Sequence, residues 1–113
     1  MRFKEKKPPR VFEVGATAQI EIKDCGDISL EAGEQVTFVT ASGKEHDFAA
    51  KSWGFYATPS VNGRLKDQGF KTALVKNAFD KFYIMVVDVN EMNAFEDYLS
   101  EESNEVVEWL DER

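Results

Sequence analysis

Short stretches of alternating apolar and polar residues are the feature that most constrains how this chain can fold. The segment "TAQIEIKD" places Ala18, Ile20 and Ile22 on one face of an extended strand, and "QVTFVT" does the same with Val36 and Phe38. Turn-forming segments, "DCGD" and "ASGK", separate these stretches, as in antiparallel hairpins. Residues 11 to about 57 are therefore predicted to form a meander of short antiparallel strands.

The pattern changes after Thr58. The segment "PSVNGRLKDQGF" predicts a short helix near residues 60–68, with Thr58 or Ser60 as its N-cap and Gly69 ending it in the left-handed conformation. The segment "FKTALVKN" then predicts a strand. The most apolar run of the chain, "FYIMVVDV", predicts a central strand that is covered on both faces.

The clearest helix signal is "NEMNAFEDYLSEESN", which predicts a helix near residues 91–102. Asn90 is its predicted N-cap and Asn104 its predicted closing residue. The apolar stripe of this helix consists of Met92, Phe95 and Leu99.

The last apolar segment, "EVVEWLDE", fits either an extension of that helix or a strand at residues 105–110. Two adjacent valines and a tryptophan favour the strand. A strand here would complete a right-handed β-α-β unit with "FYIMVVDV" and the helix between them.

These elements predict an α+β fold, mainly an antiparallel twisted sheet or half-open barrel, with the two helices named above. Residues 1–10 carry a net charge of +4 and two prolines, and they are predicted to be a flexible basic arm. A length of 113 residues and a hydrophobic content of 42% are enough for one core, so residues 11–113 are predicted to be a single domain.

Charge and composition exclude several classes of function. The net charge is −7 and only the short arm is basic, so nucleic acid is not an expected partner. No apolar run reaches the roughly 18 residues that span a bilayer, so no membrane partner is expected. The lone Cys25 and the lack of an apolar leader segment predict a cytoplasmic protein.

Metal and cofactor chemistry is not indicated either. The single histidine, His46, excludes a histidine-rich metal site, and the acidic residues follow no calcium-loop pattern. The sequence also lacks a nucleophile elbow, a Walker lysine motif and a dinucleotide fingerprint. No metal and no cofactor are therefore expected, and no catalytic residue is identified. His46 fits a structural or exposed residue, with a general base as the alternative.

One segment, "KSWGFYATPSVNGRL", gathers side chains suited to a small ligand. Trp53 and Tyr56 offer flat surfaces with polar tips. Thr58 and Ser60 lie where a helix is predicted to begin, and the unpaired N–H groups of a helix start attract anions. Arg64 can form two parallel hydrogen bonds to a phosphate or carboxylate.

Asn62 adds a hydrogen-bond donor and an acceptor to this segment, and three lysines keep the region cationic: Lys51, Lys66 and Lys71. The candidate ligand-binding residues are Trp53, Tyr56, Thr58, Ser60, Asn62 and Arg64. The alternative is structural: the aromatic rings would be core and rim, Thr58 or Ser60 would only cap a helix, and Arg64 would pair with Asp67 or the acidic C-terminal residues.

Three segments, "KSWGFYATPSVNGRL", "GFKTALVKN" and "VVEWL", resemble short bacterial proteins that are found with genes for surface-polysaccharide assembly. The resemblance spans most of residues 28–110. It implies a setting in glycan or nucleotide-sugar metabolism and implies no particular activity or catalytic residue.

Three functions therefore compete. The first is a non-catalytic accessory or binding module for a small anionic ligand such as a sugar phosphate or nucleotide-sugar. The second is a metal-free enzyme on such a compound, with His46 or Tyr56 as acid or base and Arg64 holding the anion. The third is a structural homodimer or protein-interaction domain that buries Trp53 and Phe55.

Overall fold

The computed structural model describes residues 1–15 and 20–113. It confirms an α+β fold, built mainly from antiparallel strands that form open sheets rather than a closed barrel. The elements are β1 (Arg2–Val14), β2 (Ile20–Ser29), β3 (Gln35–Val39), β4 (Glu45–Lys51), β5 (Gly54–Ala57), α1 (Arg64–Asp67), β6 (Phe70–Lys76), β7 (Phe82–Asp88), α2 (Met92–Glu102) and β8 (Glu105–Trp109). Short 3-10 turns follow β7 at Val89–Glu91 and β8 at Leu110–Glu112.

The described residues separate into two compact units. Residues 1–14 and 20–58 form the first unit, which contains β1 to β5. Residues 59–113 form the second, which contains the other strands and both helices. A single functional domain over residues 11–113 stays a prediction.

The first two strands form an antiparallel hairpin, in which Phe12 lies opposite Ile22. The sequence predicts a flexible arm at residues 1–10, but in the structure this segment is most of β1. Its charges have partners on β2, because Asp24 accepts hydrogen bonds from Lys6 Nζ at 2.6 Å and Arg10 Nε at 3.3 Å. The predicted strand at Ile20 and Ile22 is confirmed, whereas Ala18 lies outside the described residues.

The segment "DCGD", predicted to be a turn, lies inside β2 instead. Its glycine, Gly26, has a φ of +154° and faces a bulged part of β1. A Cβ atom there would collide with the backbone oxygen of Lys4 and the ring of Phe3. The glycine therefore permits a close approach between strands rather than a reversal of the chain.

The second sheet of the first unit has the order β3-β4-β5 and is antiparallel throughout. The predicted tight connection at "ASGK" is confirmed, since Thr40 N donates to Lys44 O at 2.9 Å. Gly43 in this turn has a φ of +87°, which glycine adopts without strain.

The sheet of the second unit has the order β7-β6-β8. The prediction that "FYIMVVDV" is a central strand is wrong, because β7 is at the edge and its residues Phe82, Tyr83 and Ile84 are exposed. The central strand is β6, which pairs on both sides. The predicted C-terminal strand is confirmed as β8. Both β7 and β8 are antiparallel to β6 and lie on either side of it. The two strands of the predicted β-α-β unit are therefore not neighbours, because β6 lies between them.

The short helix α1 contains only four residues, fewer than the predicted 60–68. Its N-cap is Gly63 and no side chain caps it, so the prediction of Thr58 or Ser60 as N-cap is wrong. The helix is shorter than predicted because Gly63 lies in its expected first turn and because residues 61–63 form a non-helical turn instead. The predicted end is confirmed: Gly69 has a φ of +91°, and its N–H donates to Lys66 O at 2.9 Å.

The longer helix α2 begins and ends close to the predicted 91–102. Its start is preceded by a 3-10 turn that Asp88 caps by accepting from Asn90 N at 2.9 Å, so the capping side chain is Asp88 rather than Asn90. Ser103, with a φ of +55°, closes the helix rather than Asn104. In the described part of the chain, no helix is long and apolar enough to cross a membrane.

The core of the second unit lies around β6. Leu65 of α1, together with Ala73 and Val75 of β6, has no exposed surface. On α2, the ring of Phe95 lies 5.9 Å from the ring of Trp109 on β8. The carboxylate of Asp111, just after β8, is buried and accepts from Thr72 N at 3.0 Å.

Candidate functional site

The turn between β4 and β5 presents two aromatic side chains to solvent. Lys51 lies opposite Gly54 in the register, so Ser52 and Trp53 are the two residues of the turn. Gly54, which follows the turn, has a φ of +139°, a conformation that glycine permits. Trp53, the second residue of this turn, is 70% exposed.

The ring of Tyr56 lies beside that of Trp53. The two ring centroids are 6.0 Å apart and the ring planes are tilted by 31°. Lys51 Nζ lies 5.7 Å from the centroid of the Tyr56 ring, and Tyr56 is 42% exposed. We call Lys51, Trp53 and Tyr56 the aromatic surface; it combines two ring faces with one ammonium group.

The register of the β3–β4–β5 sheet places the other aromatic residue of this hairpin on the opposite face. Tyr56 is opposite Ala49, and Phe55 is opposite Ala50. Directly opposite residues share a face and successive residues alternate, so Tyr56 and Phe55 point to different faces. The aromatic residues of "KSWGFYA" thus divide between two surfaces.

The face that carries Phe55 forms an apolar groove. Its cavity has a volume of about 300 Å³ and is lined by Ile28, Leu30, Val36, Phe38, Phe48 and Phe55. The rings of Phe38 and Phe48 meet edge to face at 5.7 Å. This groove was not predicted from the sequence, although the alternation of Val36 and Phe38 indicated an apolar face that forms one of its walls.

His46 belongs to the groove face. It lies opposite Phe38 in the register, and its ring centroid is 4.9 Å from that of Phe48. Tyr56 is on the other face of the same sheet. The sheet therefore does not bring His46 and Tyr56 together as an acid–base pair.

Thr58 follows β5 and is held by its backbone, since Thr58 N donates to Asp47 O at 3.0 Å. Its hydroxyl oxygen is buried without a hydrogen-bond partner in the described structure. The hydroxyl is therefore not presented to solvent beside the rings of the aromatic surface.

The remaining candidates belong to the second unit, where Ser60, Asn62 and Arg64 are exposed around the turn that precedes α1. The carbonyl of Ser60 accepts from Leu65 N at 3.1 Å and from Gly63 N at 3.3 Å, which closes this turn. A helix of one turn supplies little dipole for an anion. The structure therefore brings Trp53 and Tyr56 together in one unit and places the other three polar residues in the second.

Two of the three lysines near this region bind the C-terminal segment. Lys71 Nζ contacts Glu112 Oε1 at 3.0 Å and Asp111 Oδ2 at 3.6 Å, and Lys66 Nζ donates to Asp111 O at 3.4 Å. The hydrogen bond to Glu112 and the nearby carboxylate of Asp111 raise the pKa of Lys71 above 10.5. Lys51 belongs to the first unit and lies beside the Tyr56 ring, whereas Lys66 and Lys71 belong to the second unit.

In residues 1–15 and 20–113, no group of three or more histidine, cysteine, aspartate and glutamate side chains is arranged to hold a metal ion. No protein-family model, curated protein or solved structure matches this chain. The surfaces of the chain are therefore the guide to its function. Among them, the aromatic surface combines two ring faces with a cation.

Proposed function

We propose that this chain is a cytoplasmic, non-catalytic binding module that recognises a small anionic ligand, such as a sugar phosphate or nucleotide-sugar, through the aromatic surface. The observation that supports the proposal is the exposed pair of rings, Trp53 and Tyr56, with the ammonium of Lys51 beside them.

The chemistry of this surface suits a ring that carries a negative charge. The apolar face of a sugar, or a nucleobase, can lie flat on an indole or phenol ring and remove its apolar surface from water. The ammonium of Lys51 attracts a phosphate, while the hydroxyl of Tyr56 and the indole N–H of Trp53 can bond to sugar hydroxyls. One short hairpin thus offers both stacking and charge.

The enzyme alternative has weaker support. It needs His46 or Tyr56 as acid or base near the ligand, and His46 lies on the opposite face of the sheet from Tyr56, which leaves Tyr56 as the one candidate of the two at the aromatic surface. The dimer alternative requires one partner surface to bury both Trp53 and Phe55. It is also weakened, because the Trp53 ring lies beside Tyr56, on one face of the sheet, and Phe55 lines the groove on the other face.

The direct test is calorimetry or ligand-observed NMR with a panel of sugar phosphates and nucleotide-sugars. We expect at least one member to bind the wild type, and Trp53→Ala to weaken that binding about tenfold, which corresponds to the loss of one stacked ring, about 1.4 kcal/mol. Trp53→Phe should retain part of the affinity. Lys51→Ala should weaken binding and reduce its salt dependence.

The matched control is Phe55→Ala. Phe55 is in the same hairpin and is 68% exposed, close to the exposure of Trp53, but it lies on the groove face. Phe55→Ala should therefore bind like the wild type. The proposal is wrong if no member of the panel binds, or if the Trp53 and Phe55 variants lose affinity equally.

The role of Arg64 needs a separate variant, because this residue belongs to the second unit. If it holds the anion, Arg64→Ala should weaken binding by about 1.5 to 3 kcal/mol, the scale of a charge-assisted hydrogen bond. Arg64→Lys should recover only part of that loss, since an ammonium cannot form the two-pronged contact. An unchanged affinity in Arg64→Ala would show that Arg64 does not bind the anion.

A further inference from the structure

Strand β7 is an edge strand whose other side has no neighbouring strand among the described residues. The backbone bonding pattern identifies which of its residues face that open side. Asn77 N donates to Lys81 O, and Val89 N donates to Gly69 O, both at 2.9 Å. These bonds extend the β6–β7 ladder at both ends.

In an antiparallel ladder, residues that bond to the neighbouring strand alternate with residues that direct their N–H and C=O groups away from it. Lys81 and Val89 bond towards β6, so the odd-numbered residues between them do the same. The residues with even numbers, Phe82, Ile84 and Val86, therefore direct their backbone groups to the open edge.

The side chains of this edge are apolar and exposed. Phe82 is 58% exposed and Ile84 is 60% exposed. The run from Phe82 to Val87 contains no charged residue and no proline. Long apolar edges of this kind are templates for pairing with another strand.

The opposite edge of the same sheet is protected in the usual ways. Strand β8 carries Glu105 and Glu108, and its pairing with β6 is interrupted by a register shift. Charges and bulges are common devices that keep an edge from pairing. Within one sheet, the β8 edge carries these devices while the neutral run of the β7 edge lacks them.

We propose that β7 pairs antiparallel with β7 of a second copy of this chain, around a two-fold axis at Ile84. Ile84 would then lie opposite Ile84 of the second copy, and Phe82 opposite Val86. A two-fold axis perpendicular to a sheet passes between two identical residues, one from each copy. Ile84 is the middle one of the three residues that face the edge, so an axis at Ile84 pairs all three. Each of these pairs exchanges two N–H···O=C bonds.

The charges at the strand ends favour this antiparallel arrangement. Lys81 precedes the neutral run and Asp88 follows it, so antiparallel pairing brings the Lys81 end of each copy towards the Asp88 end of the other. Parallel pairing would place like charges side by side. In the proposed register Asp80 faces Asp88 of the second copy, so the two carboxylates repel each other and the pairing should end there. Lys76 Nζ lies 3.5 Å from Asp80 Oδ1 and offsets part of that repulsion.

The area involved predicts a weak dimer. Phe82, Tyr83 and Ile84 each leave roughly 100 Å² uncovered, on the scale of 150–250 Å² for a whole aromatic side chain. Two copies together would bury at most roughly 600 Å² of side chain plus the strand backbones, which is below the about 1,200 Å² of a standard stable interface. The dimer should therefore be weak, and protein concentrations from about ten to several hundred micromolar are the range in which to look for it.

Sedimentation equilibrium across that concentration range is the primary experiment. We expect the wild type to dimerise and Ile84→Lys to remain a monomer, because two ammonium groups would face each other at the axis. The control is Val107→Lys on β8, which is also exposed, at 51%, and is also aliphatic. It should dimerise like the wild type, and circular dichroism will show whether each variant is folded.

A cross-link tests the register even if Ile84→Lys fails to fold. With Cys25→Ser to remove the one natural thiol, Ile84→Cys should form a covalent dimer with a short reagent that joins two thiols, since residues facing each other in a hydrogen-bonded pair have Cα atoms about 5.5 Å apart. Val107→Cys should not. A wild type that stays monomeric at several hundred micromolar, or equal cross-linking of both cysteine variants, would overturn the proposal.

Discussion

The β3–β4–β5 sheet and the β7–β6–β8 sheet each have three antiparallel strands, but they bury different kinds of side chain. In the second unit, the buried residues include Leu65, Phe70 and Val75. In the β3–β4–β5 sheet, the buried apolar residues of the described chain are two alanines, Ala49 and Ala50. The larger apolar groups of that sheet remain partly or largely exposed, and they form both the apolar groove and the aromatic surface.

The difference follows from the connections between strands. Tight turns at residues 40–44 and 52–53 join β3, β4 and β5 directly, so no helix is available from within this segment to cover a face. The chain between β7 and β8 is long enough for α2, which packs Phe95 against Trp109. We therefore expect the second sheet to contribute more to stability, while the first leaves its aromatic rings exposed.

Deleting residues 105–113 should have the largest effect on this contrast. The deletion removes β8 from its pairing with β6 and removes the Asp111 carboxylate from Thr72 N. Large apolar groups contribute roughly 1.5–3 kcal/mol each when fully buried, and typical domains have only about 5–15 kcal/mol of stability. We expect the second unit to unfold; an unchanged thermal midpoint in the truncated protein would contradict this.

A matched pair of alanine variants should separate the two sheets. Leu65→Ala removes a fully buried side chain and should lower the free energy of unfolding by about 2–5 kcal/mol. Phe55→Ala removes a largely exposed one and should cost less than about 1 kcal/mol. Urea unfolding of both variants gives the comparison, and equal losses would mean that exposure does not decide stability here.

Asp111 offers a smaller, polar test within the second unit. Asp111→Ala leaves the buried Thr72 N–H without its acceptor and should cost about 1–3 kcal/mol. Asp111→Asn keeps an acceptor oxygen and should cost less. The control is Glu112→Ala, an exposed neighbour that also contacts Lys71 and should change stability by less than about 0.5 kcal/mol. Similar losses in the two alanine variants would show that the buried hydrogen bond is unimportant.

The smallest effect should come from the charges of the β1–β2 hairpin. The hydrogen bond from Lys6 holds the pKa of Asp24 below 3.8, so this contact contributes above pH 3.8 and is lost as the pH falls through the lower folded value. The same contact raises the pKa of Lys6 above 10.5, so it is also lost at strongly alkaline pH. NMR titration of the hairpin should show this acid transition, and Asp24→Asn should abolish it. An identical transition in the variant would assign it to another group.

Local patterns in the sequence predicted much of the fold. The periodicity of Met92, Phe95 and Leu99 located α2 closely, and the paired valines of residues 105–110 correctly favoured β8. The order of strands was not predictable in this way, because an apolar run shows that a strand has apolar faces but not which strand it pairs with. The edge position of β7 depends on long-range pairing with β6.

The candidate site was predicted in part. Trp53 and Tyr56 were both predicted as ligand-binding residues, but the two-residue turn that brings their rings together was not predicted, because residues 45–57 were expected to continue as extended chain. The helix start expected at Thr58 and Ser60 was not formed, because Gly63 and the preceding turn delay α1 to Arg64. The basic residues at the N-terminus gave no sign that Asp24 and its neighbours on β2 would pair with them, since that contact is distant in sequence.

The two tryptophans of the chain belong to different units, and this distribution has an optical consequence. Trp53 is solvated, so its fluorescence should be red-shifted and sensitive to soluble quenchers. Trp109 is half-buried, with Phe95 beside it and Lys71 Nζ 4.7 Å from its ring centroid, so it should emit at shorter wavelength. Trp53→Phe leaves Trp109 as the sole indole emitter and Trp109→Phe leaves Trp53, so each unit carries its own intrinsic chromophore and can be followed without an added label.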